Sequence, residues 1–515
     1  MIHVTDMAAK RAELTPDKIA FRDHETGAAL SFFEVDRRAN RMARWLCARG
    51  CAAGDRIAVL CHNHPDFFVL LFAAQKAGLV LLPLNWRQPA AELEPVLVEA
   101  GARLLLHDAA TAATAADLAR RAGCERVGFA DAGESAGADA DGASLEALLE
   151  GMSEEAFGEG RIEAEAPWYL LATSGTTGTP KLVIQTAAMA WANAVNYSQA
   201  TGLLASDTGV NYLPLFHTAG INLFALPLFL AGGQTIVLRK FDAPAVLKLI
   251  AGGAVTTFFG VPAIYQALAL EPDFAHADFS ALRSLGCGGA PMPAPLLETY
   301  LKRGVTVCNG MGMTETGPTV FLADADRAAE KIGSVGKAQI LAEVRLVTAD
   351  GSVVEGAGEG ELQIRGSGVT PGYYGNPEAT LAAFVDGGWL RSGDVARRDG
   401  DGYYYIVDRI KDMYISGGEN VYPAEVERVL VTHADILDAV VVGVPDETWG
   451  EVGAAYLIPR PGAEIDTARL LAWCRQRLAG YKVPRSVTIV ADLPRTAAGK
   501  VQKHVLKSMH EEGAR

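Results

Sequence analysis

Thr173-Ser-Gly-Thr-Thr-Gly-Thr-Pro-Lys181 is the stretch on which the reading of this chain turns. It follows an apolar run, Trp168-Tyr-Leu-Leu-Ala172, which reads as a buried strand feeding a loop. Gly175 and Gly178 permit backbone conformations that aim several N–H groups at one anion. The hydroxyls of Thr173, Ser174, Thr176 and Thr177 add donors, and Lys181 adds a full positive charge. Such a loop is expected to hold polyphosphate. It is not the common nucleotide P-loop, which closes on Gly-Lys-Ser/Thr where this chain reads Pro180-Lys181-Leu182. Taken alone, a Gly/Thr-rich turn is as readily a plain surface loop, so its neighbours must decide.

At 515 residues the chain is too long for one compact core, and two or more domains are expected. Half of it is hydrophobic and 21% is charged, an ordinary soluble globular composition. The formal net charge of −15 argues against a nucleic-acid partner, which needs a basic face. An acidic protein that binds polyphosphate must concentrate positive charge locally, and Lys181, Arg409 and Lys500 are the candidates. The seven cysteines are scattered and form no Cys-x-x-Cys pair, so neither a zinc site nor a disulfide framework is expected. That pattern suits a reducing compartment, and the cytoplasm is the expected location. The start, Met1-Ile-His-Val-Thr-Asp6, lacks the basic and apolar regions of a signal peptide. The most apolar window, Leu213–Gly233, contains His217, Asn222, two prolines and several glycines, so it reads as buried core and not as a membrane span.

Helical and strand-like patterns alternate through the first hundred residues. Phe33–Arg49 and Pro65–Lys76 have helical spacing, whereas Arg56–Leu60 and Leu79–Pro83 read as strands. Residues 131–166, rich in Ala, Gly, Asp and Glu, are expected to form a mobile surface excursion. Strands resume at Gln234–Leu238 and Val255–Phe259. Beyond about Tyr405 the texture changes. The glycine-bearing run Ser416–Asn420 precedes a helix, Ala424–Val431, and a strand, Ala439–Gly443; a helix at Thr467–Leu478 then leads to a strand at Ser486–Val490. The expected architecture is α/β: a large multi-layer N-terminal domain with mostly parallel sheets over 1–409, plus a small mobile α+β C-terminal domain over 410–515, hinged near Asp408–Asp412.

Gly133-Glu-Ser135-Ala-Gly137 matches the Gly-x-Ser-x-Gly pattern of a hydrolase nucleophile elbow. That elbow needs a helix directly after it, and Ala138-Asp-Ala-Asp-Gly142 is a poor helix start. The serine-hydrolase reading is rejected on that ground.

The phosphate loop has companions. They are Pro214-Leu-Phe-His217-Thr-Ala-Gly220, Gly288-Gly-Ala-Pro291, Gly312-Met-Thr314-Glu315, Ser392-Gly-Asp394, Asp408-Arg409 and Pro494-Arg-Thr-Ala-Ala-Gly-Lys500. In this order, and over nearly the whole chain, they resemble the adenylate-forming superfamily in its acyl-CoA synthetase branch. The resemblance implies ATP and CoA as co-substrates, Mg²⁺ as the metal and a small carboxylic acid as the molecule activated. It assigns catalysis to Lys500, Thr176, Glu315 and His217, and metal binding to Glu315 and Thr176. Nucleotide contacts are implied for Thr173, Ser174, Gly175, Thr176, Thr177, Gly178, Lys181, Gly289, Ala290, Pro291, Met311, Gly312, Thr314, Asp394 and Arg409. Lys411 matches the hinge position, and Ser416, Gly417, Gly418 and Glu419 match a loop lining the CoA pantetheine tunnel. An ordinary hairpin turn is the plain reading of those four residues.

The chemistry explains the residue types. A carboxylate and ATP repel as the acid nears the α-phosphate, so the site must neutralise charge and align the reactants. Lys500 would meet the charge that develops on the α-phosphate and carboxylate oxygens. Asp394 can accept paired hydrogen bonds from both ribose hydroxyls. Where the family carries an aromatic residue before Gly312, this chain has Met311. A thioether still packs on an aromatic face, for roughly 0.3–1.5 kcal/mol. The departure puts purine affinity and selectivity in question.

The expected acyl pocket is lined by His217, Phe259, Gly260, Val261, Tyr265, Cys287, Gly288, Gly289 and Met313, which are mostly apolar or small. No carboxylate stands in Phe216–Gly220 to pair with an ammonium, which disfavours an amino-acid-adenylating module. His217 reads either as a gate at the pocket mouth or as a buried, hydrogen-bonded histidine. An apolar acid is expected, a fatty chain ahead of an aryl or hydroxycinnamate acid because small residues can open a long tunnel. A degenerate nucleotide binder stands as the alternative of another class, and the presence of Glu315, Asp394, Arg409 and Lys500 speaks against it. Homodimer formation and peripheral membrane association stay open.

Overall fold

A computed structural model describes residues 3–128, 147, 149–173, 180–290, 292–496 and 500–513. Among these residues the chain forms four main sheets. The first has the order Lys181–Thr186, Pro167–Thr173, Val80–Pro83, Arg56–Leu60, Ala102–His107, Glu125–Gly128, and only Lys181–Thr186 runs antiparallel. The second is parallel from Cys308–Met311 through Ser284–Cys287, Thr257–Gly260, Thr208–Asn211 and Gln234–Val237 to Ile19–Asp23, with short antiparallel strands at both edges.

The helix Pro65–Lys76 explains how these two sheets become layers of one body. Every residue from Pro65 to Gln75 is buried, as expected of a helix that is apolar on all sides. Phe68 stacks on Phe21 of the second sheet at 4.4 Å between ring centroids, and Phe72 lies 6.3 Å from Trp168 of the first. The neighbouring helix, Phe32–Ala48, starts in a capping box: Glu34 N–H donates to Ser31 Oγ, and Ser31 N–H donates to Glu34 Oε2. The central helix ends on a buried ion cluster. Lys76 Nζ, on a side chain only 2% exposed, lies 2.5 Å from Asp6 and 2.7 Å from Asp36, tying three helical segments together.

One expectation needs correction. The excursion over 131–166 is not mobile throughout. Leu149 is fully buried, and Arg161–Glu163 pairs as a strand with His3–Thr5. Arg41 and Arg44 donate to the carbonyls of Leu149, Ser153, Glu155 and Ala156, so the second half of the segment is clamped to the helix Phe32–Ala48. Residues 342–409 also form a third sheet that is antiparallel throughout, built from Ala342–Val347, Gly358–Gly366, Phe384–Val385, Trp389–Arg398 and Tyr404–Arg409.

The fourth sheet contains Tyr414–Ser416, Glu419–Val421, Ile436–Asp446 and Gly450–Pro459, with Ser486–Ile489 added in parallel. The helices Pro423–Leu430 and Thr467–Arg475 contribute Val426, Leu430, Leu470 and Cys474 to its core. The apolar window Leu213–Gly233 forms a π-helical turn at Ala219–Leu223 and a helix at Ala225–Ala231, both largely buried. Among the described residues no helix is long and apolar enough to cross a membrane.

Replacing Lys76 by Met should leave buried Asp6 and partly buried Asp36 without their cation. A loss of about 3–5 kcal/mol is expected, read as a lower thermal midpoint with unchanged secondary structure at low temperature. An unshifted midpoint would refute the role given to this cluster.

Candidate active site

Strands of the first two sheets deliver several of the expected site residues at or just after their C-terminal ends, where open α/β sheets place ligands. Thr173 ends one strand and faces Lys181 at the start of the next, with Thr173 Oγ1 donating to the Lys181 carbonyl at 3.3 Å. Ser174, Gly175, Thr176, Thr177 and Gly178 lie outside the described residues, as do Pro291 and the elbow-like Ser135. Gly260 and Cys287 end adjacent parallel strands, so Val261 and Gly288–Ala290 follow at one rim. Met311 ends the strand beyond and packs against the core of the third sheet together with Met313.

Glu315 is held by contacts that its own motif does not announce. A Cβ on Gly312 would overlap the Pro318 carbonyl, so only glycine permits this tight return of the chain. Gln185 Nε2 donates to the Thr314 carbonyl at 2.8 Å, and Thr370 N–H donates to the Glu315 carbonyl at 2.8 Å. Tyr373 Oη donates to Glu315 Oε1 at 3.0 Å, while Lys181 Nζ sits 4.8 Å over the Tyr373 ring. Tyr373 therefore joins the cation of the phosphate loop to the metal-ligand candidate. Nothing in its local sequence marks it, since Pro371-Gly-Tyr-Tyr374 reads as a turn.

A second group surrounds Asp394. This residue is 4% exposed and pairs through Oδ1 with Arg409 Nε at 2.9 Å, across two antiparallel strands that place them side by side. Burial raises the Asp394 pKa, and the charges of Arg409 and Lys500 oppose that rise. Lys500 keeps contact with solvent, yet crowding lowers its pKa; Arg409 and Lys411 push the same way, against Asp394 and Glu315. The structure thus gathers Lys500, Arg409 and Lys411 among the carboxylates of Asp394, Glu315, Asp408 and Asp412, concentrating cations at one place in a chain of net −15. Cations concentrated in this way suit a polyphosphate.

His217 also faces this group. Its ring lies 5.1 Å from that of Phe216, and burial, then Lys500 and Arg87, lower its pKa from 6.5 to about 4. It is neutral at pH 7. Thr218 beside it carries a buried hydroxyl with no hydrogen-bond partner among the described residues. Asn309 likewise carries a buried Oδ1 with no partner among the described residues, next to Met292 at a cavity of about 10 Å³. Sequence reasoning had not singled out this acceptor on the strand that ends in Met311.

Not every expected residue arrives at the site. Cys287 is fully buried among Tyr212, Tyr265 and Tyr300, with its thiol pKa raised by burial, so its side chain offers no surface to a ligand. Tyr265 is equally enclosed and donates to the Gly286 carbonyl at 2.8 Å. Alternation along the strand Ser284–Cys287 sends Cys287 into the core. Phe259 and Val261 do approach the glycines: a Cβ on Gly288 would meet Phe259 Cζ at 2.9 Å, and one on Gly289 would meet Val261 at 3.4 Å. The run Ser416–Glu419 is a two-residue hairpin with positive φ at Gly417 and Gly418, held by its own sheet. Trp449 packs over Gly417, is 40% exposed and has Arg485 at 5.8 Å from its ring.

The AMP-binding enzyme family matches residues 8–374, and the AMP-binding enzyme C-terminal domain matches residues 425–500. A feruloyl-CoA synthase of an Amycolatopsis species is 43% identical over 494 residues, covering 96% of each chain. A long-chain-fatty-acid–CoA ligase of Mycobacterium tuberculosis is 34% identical over 514 residues, covering 98% of each. The structure of O-succinylbenzoate coenzyme A synthetase from Bacillus subtilis, in complex with ATP and magnesium ion, superposes with a TM-score of 0.85 at 30% identity, covering 98% of this chain and 100% of that one. The chain belongs to the AMP-binding enzyme family, in its acyl-CoA synthetase branch. Within that branch it is an AMP-forming acid–CoA ligase, with ATP and CoA as co-substrates.

The depressed His217 pKa has a consequence for stability. Between pH 6.5 and about 4 the unfolded chain takes up a proton that the folded chain refuses, so stability falls as pH falls through that window. His217→Gln should flatten this part of the pH–stability curve by up to about 3 kcal/mol at its acid end. Urea midpoints of both proteins across the window test it, and parallel curves would contradict it.

Proposed function

We propose that this ligase activates a flat aryl acid of the hydroxycinnamate type, forms its acyl-adenylate and passes the acyl group to CoA. The observation that carries the choice is the packing of Phe259. Its ring fills the notch left by two glycines, with a Cβ on Gly286 meeting it at 2.6 Å and one on Gly288 at 2.9 Å. Behind it, Phe258, Tyr265, Tyr300 and Phe274 pack edge to face, and Tyr212 Oη donates to the Phe259 carbonyl at 2.9 Å. A long alkyl chain needs a tunnel through this region, whereas a planar ring needs only a slot. The 43% identity to feruloyl-CoA synthases supports the same choice over the fatty-acid preference expected from small pocket residues.

In this reading Lys500 neutralises the charge on the α-phosphate and carboxylate oxygens during adenylation. Asp394 accepts the ribose hydroxyls and Arg409 steers the phosphates. The base lies by Met311, Gly312 and Gly289–Pro291, with Asn309 accepting from its amino group. Thr173–Gly178, Thr314 and Lys181 hold the β- and γ-phosphates. Glu315, oriented by Tyr373, and Thr176 would hold Mg²⁺, whose charge would screen the phosphates. Neutral His217 borders the carboxylate, while Val261, Gly288 and Met313 line the slot. The chain divides at 409/410, and the unit from 410 turns about Lys411 to bring Ser416–Glu419 to the pantetheine arm. The exposed face of Trp449, with Arg485 beside it, suits a stacked base of CoA. Seven unpaired cysteines agree with action in the cytoplasm.

Pyrophosphate release with ATP, magnesium and CoA should be strongest with hydroxycinnamates and weak with long fatty acids; the reverse order would sink the substrate assignment. Phe259→Ala should shift kcat/KM toward medium-chain acids by about 10- to 100-fold relative to hydroxycinnamate, the scale of one to two buried side-chain contacts. Lys500→Ala should slow adenylate formation by roughly 10²–10³ while thioester formation from supplied adenylate survives. Equal loss in both half-reactions would refute the role given to Lys500.

A further inference from the structure

Tyr373 belongs to none of the motifs that accompany the phosphate loop, yet its placement is fixed from three sides. Its backbone bridges antiparallel to Val183, on the strand that Lys181 begins. Its N–H donates to Thr380 Oγ1 at 2.9 Å, on the helix Pro377–Ala383. Just ahead of it, Thr370 Oγ1 donates to the Ile184 carbonyl at 2.6 Å, and Thr370 N–H donates to the Glu315 carbonyl at 2.8 Å. One short segment is thereby tied to the strand of Lys181 and to the backbone of Glu315. The phenol it carries has little freedom to shift.

That phenol makes a different contact with each of its charged neighbours. Lys181 Nζ lies over the face of the ring, 4.8 Å from its centroid, where the π-system attracts a cation. The hydroxyl, at the ring's edge, donates to Glu315 Oε1 at 3.0 Å. A phenol keeps its proton at neutral pH, so this bond orients the carboxylate without neutralising it. Lys181 and Glu315 have opposite charges, and a partly buried ammonium and carboxylate left free to move would attract each other into contact. Once paired, the lysine would be lost to a phosphate and the carboxylate to a metal. With the hydroxyl on one oxygen, Glu315 keeps acceptor capacity, and carboxylate oxygens suit a hard cation.

We propose that Tyr373 is a positioning residue that works as a spacer: its ring holds the Lys181 ammonium, its hydroxyl holds Glu315, and the two are kept from pairing with each other. The proposal rests on the ligase reading above, in which Lys181 serves the β- and γ-phosphates and Glu315 serves Mg²⁺. The hydroxyl acts on the metal side and the ring on the phosphate side, so substitution can remove them one at a time. A tyrosine that merely filled space would show no such division.

The test uses the full-length enzyme, with Mn²⁺ as a paramagnetic probe and a non-hydrolysable ATP analogue. Tyr373→Phe keeps the ring and loses the hydroxyl. It should weaken Mn²⁺ binding beside the analogue by about 10- to 100-fold, as removal of a group that orients a metal ligand does, and leave metal-free binding of the analogue within about twofold. Tyr373→Leu loses the ring as well and should weaken metal-free binding too. Adding Glu315→Gln to Tyr373→Leu should restore that binding by more than Glu315→Gln changes it alone, because Lys181 then has no carboxylate to pair with. Thioester formation from supplied adenylate and CoA uses neither group and should survive in both single variants at Tyr373. Unchanged Mn²⁺ binding in Tyr373→Phe, undiminished metal-free binding in Tyr373→Leu, or loss of the thioester step alongside overturns the spacer. Should Tyr373→Leu fail to fold, Tyr373→Met removes the ring with less loss of volume and is read in the same way. A wild-type enzyme that binds no ATP analogue overturns the ligase reading itself.

Discussion

The antiparallel pairing of Lys181–Thr186 on Pro167–Thr173 is the contact on which the site depends. It reverses the direction of an otherwise parallel sheet and sets Lys181 opposite Thr173. The free edge of the added strand then accepts the segment 372–374: Tyr374 N–H donates to the Leu182 carbonyl at 2.7 Å, and Ile184 N–H donates to the Gly372 carbonyl at 3.1 Å. That edge pairing brings the Tyr373 hydroxyl to Glu315. Unpaired strand edges attract backbone partners, and here the partner comes from nearly two hundred residues away.

Buried polar groups keep this arrangement in register. Asn193 and Asn196, on one buried helix, hold the carbonyls or amides of Asn222, Thr319 and Leu341, and Asn222 Nδ2 donates to the Gly317 carbonyl at 3.0 Å. Each such amide would cost about 1–3 kcal/mol if left unpaired, so the segment after Glu315 has little freedom to shift. The charges converge differently. Lys500, Arg409 and Lys411 repel one another, and Asp394, Glu315 and the nearby Asp408 and Asp412 compensate them. Concentrating cations at one place is how a strongly acidic chain can meet an anionic ligand.

Much of this was legible in the sequence. Pro65–Lys76 was readable as a helix from its spacing, and the structure reproduces those bounds. Alternating helices and strands indicated the parallel sheets, because their buried strands are uniformly apolar. The antiparallel sheet of 342–409 was missed: its strands are half exposed and carry many Glu and Arg residues, which blunts their pattern. The stretch 149–166 looked loose in composition because backbone carbonyls, taken by Arg41 and Arg44, do the holding. Cys287 was assigned to the pocket from its neighbours in the chain, yet strand alternation turns it inward.

By itself the sequence determined the chemical inventory and its order: a phosphate loop, a carboxylate for metal, a carboxylate for ribose and a lysine near the C-terminus. Motifs of that kind are local, and side-chain type plus spacing suffices to recognise them. Tertiary structure alone decided which groups meet. Tyr373 reaches Glu315 through an edge pairing, and Phe259 fills a notch left by two glycines on the neighbouring strand and the turn after it. These contacts join residues tens of positions apart, and periodicity carries no information at that range.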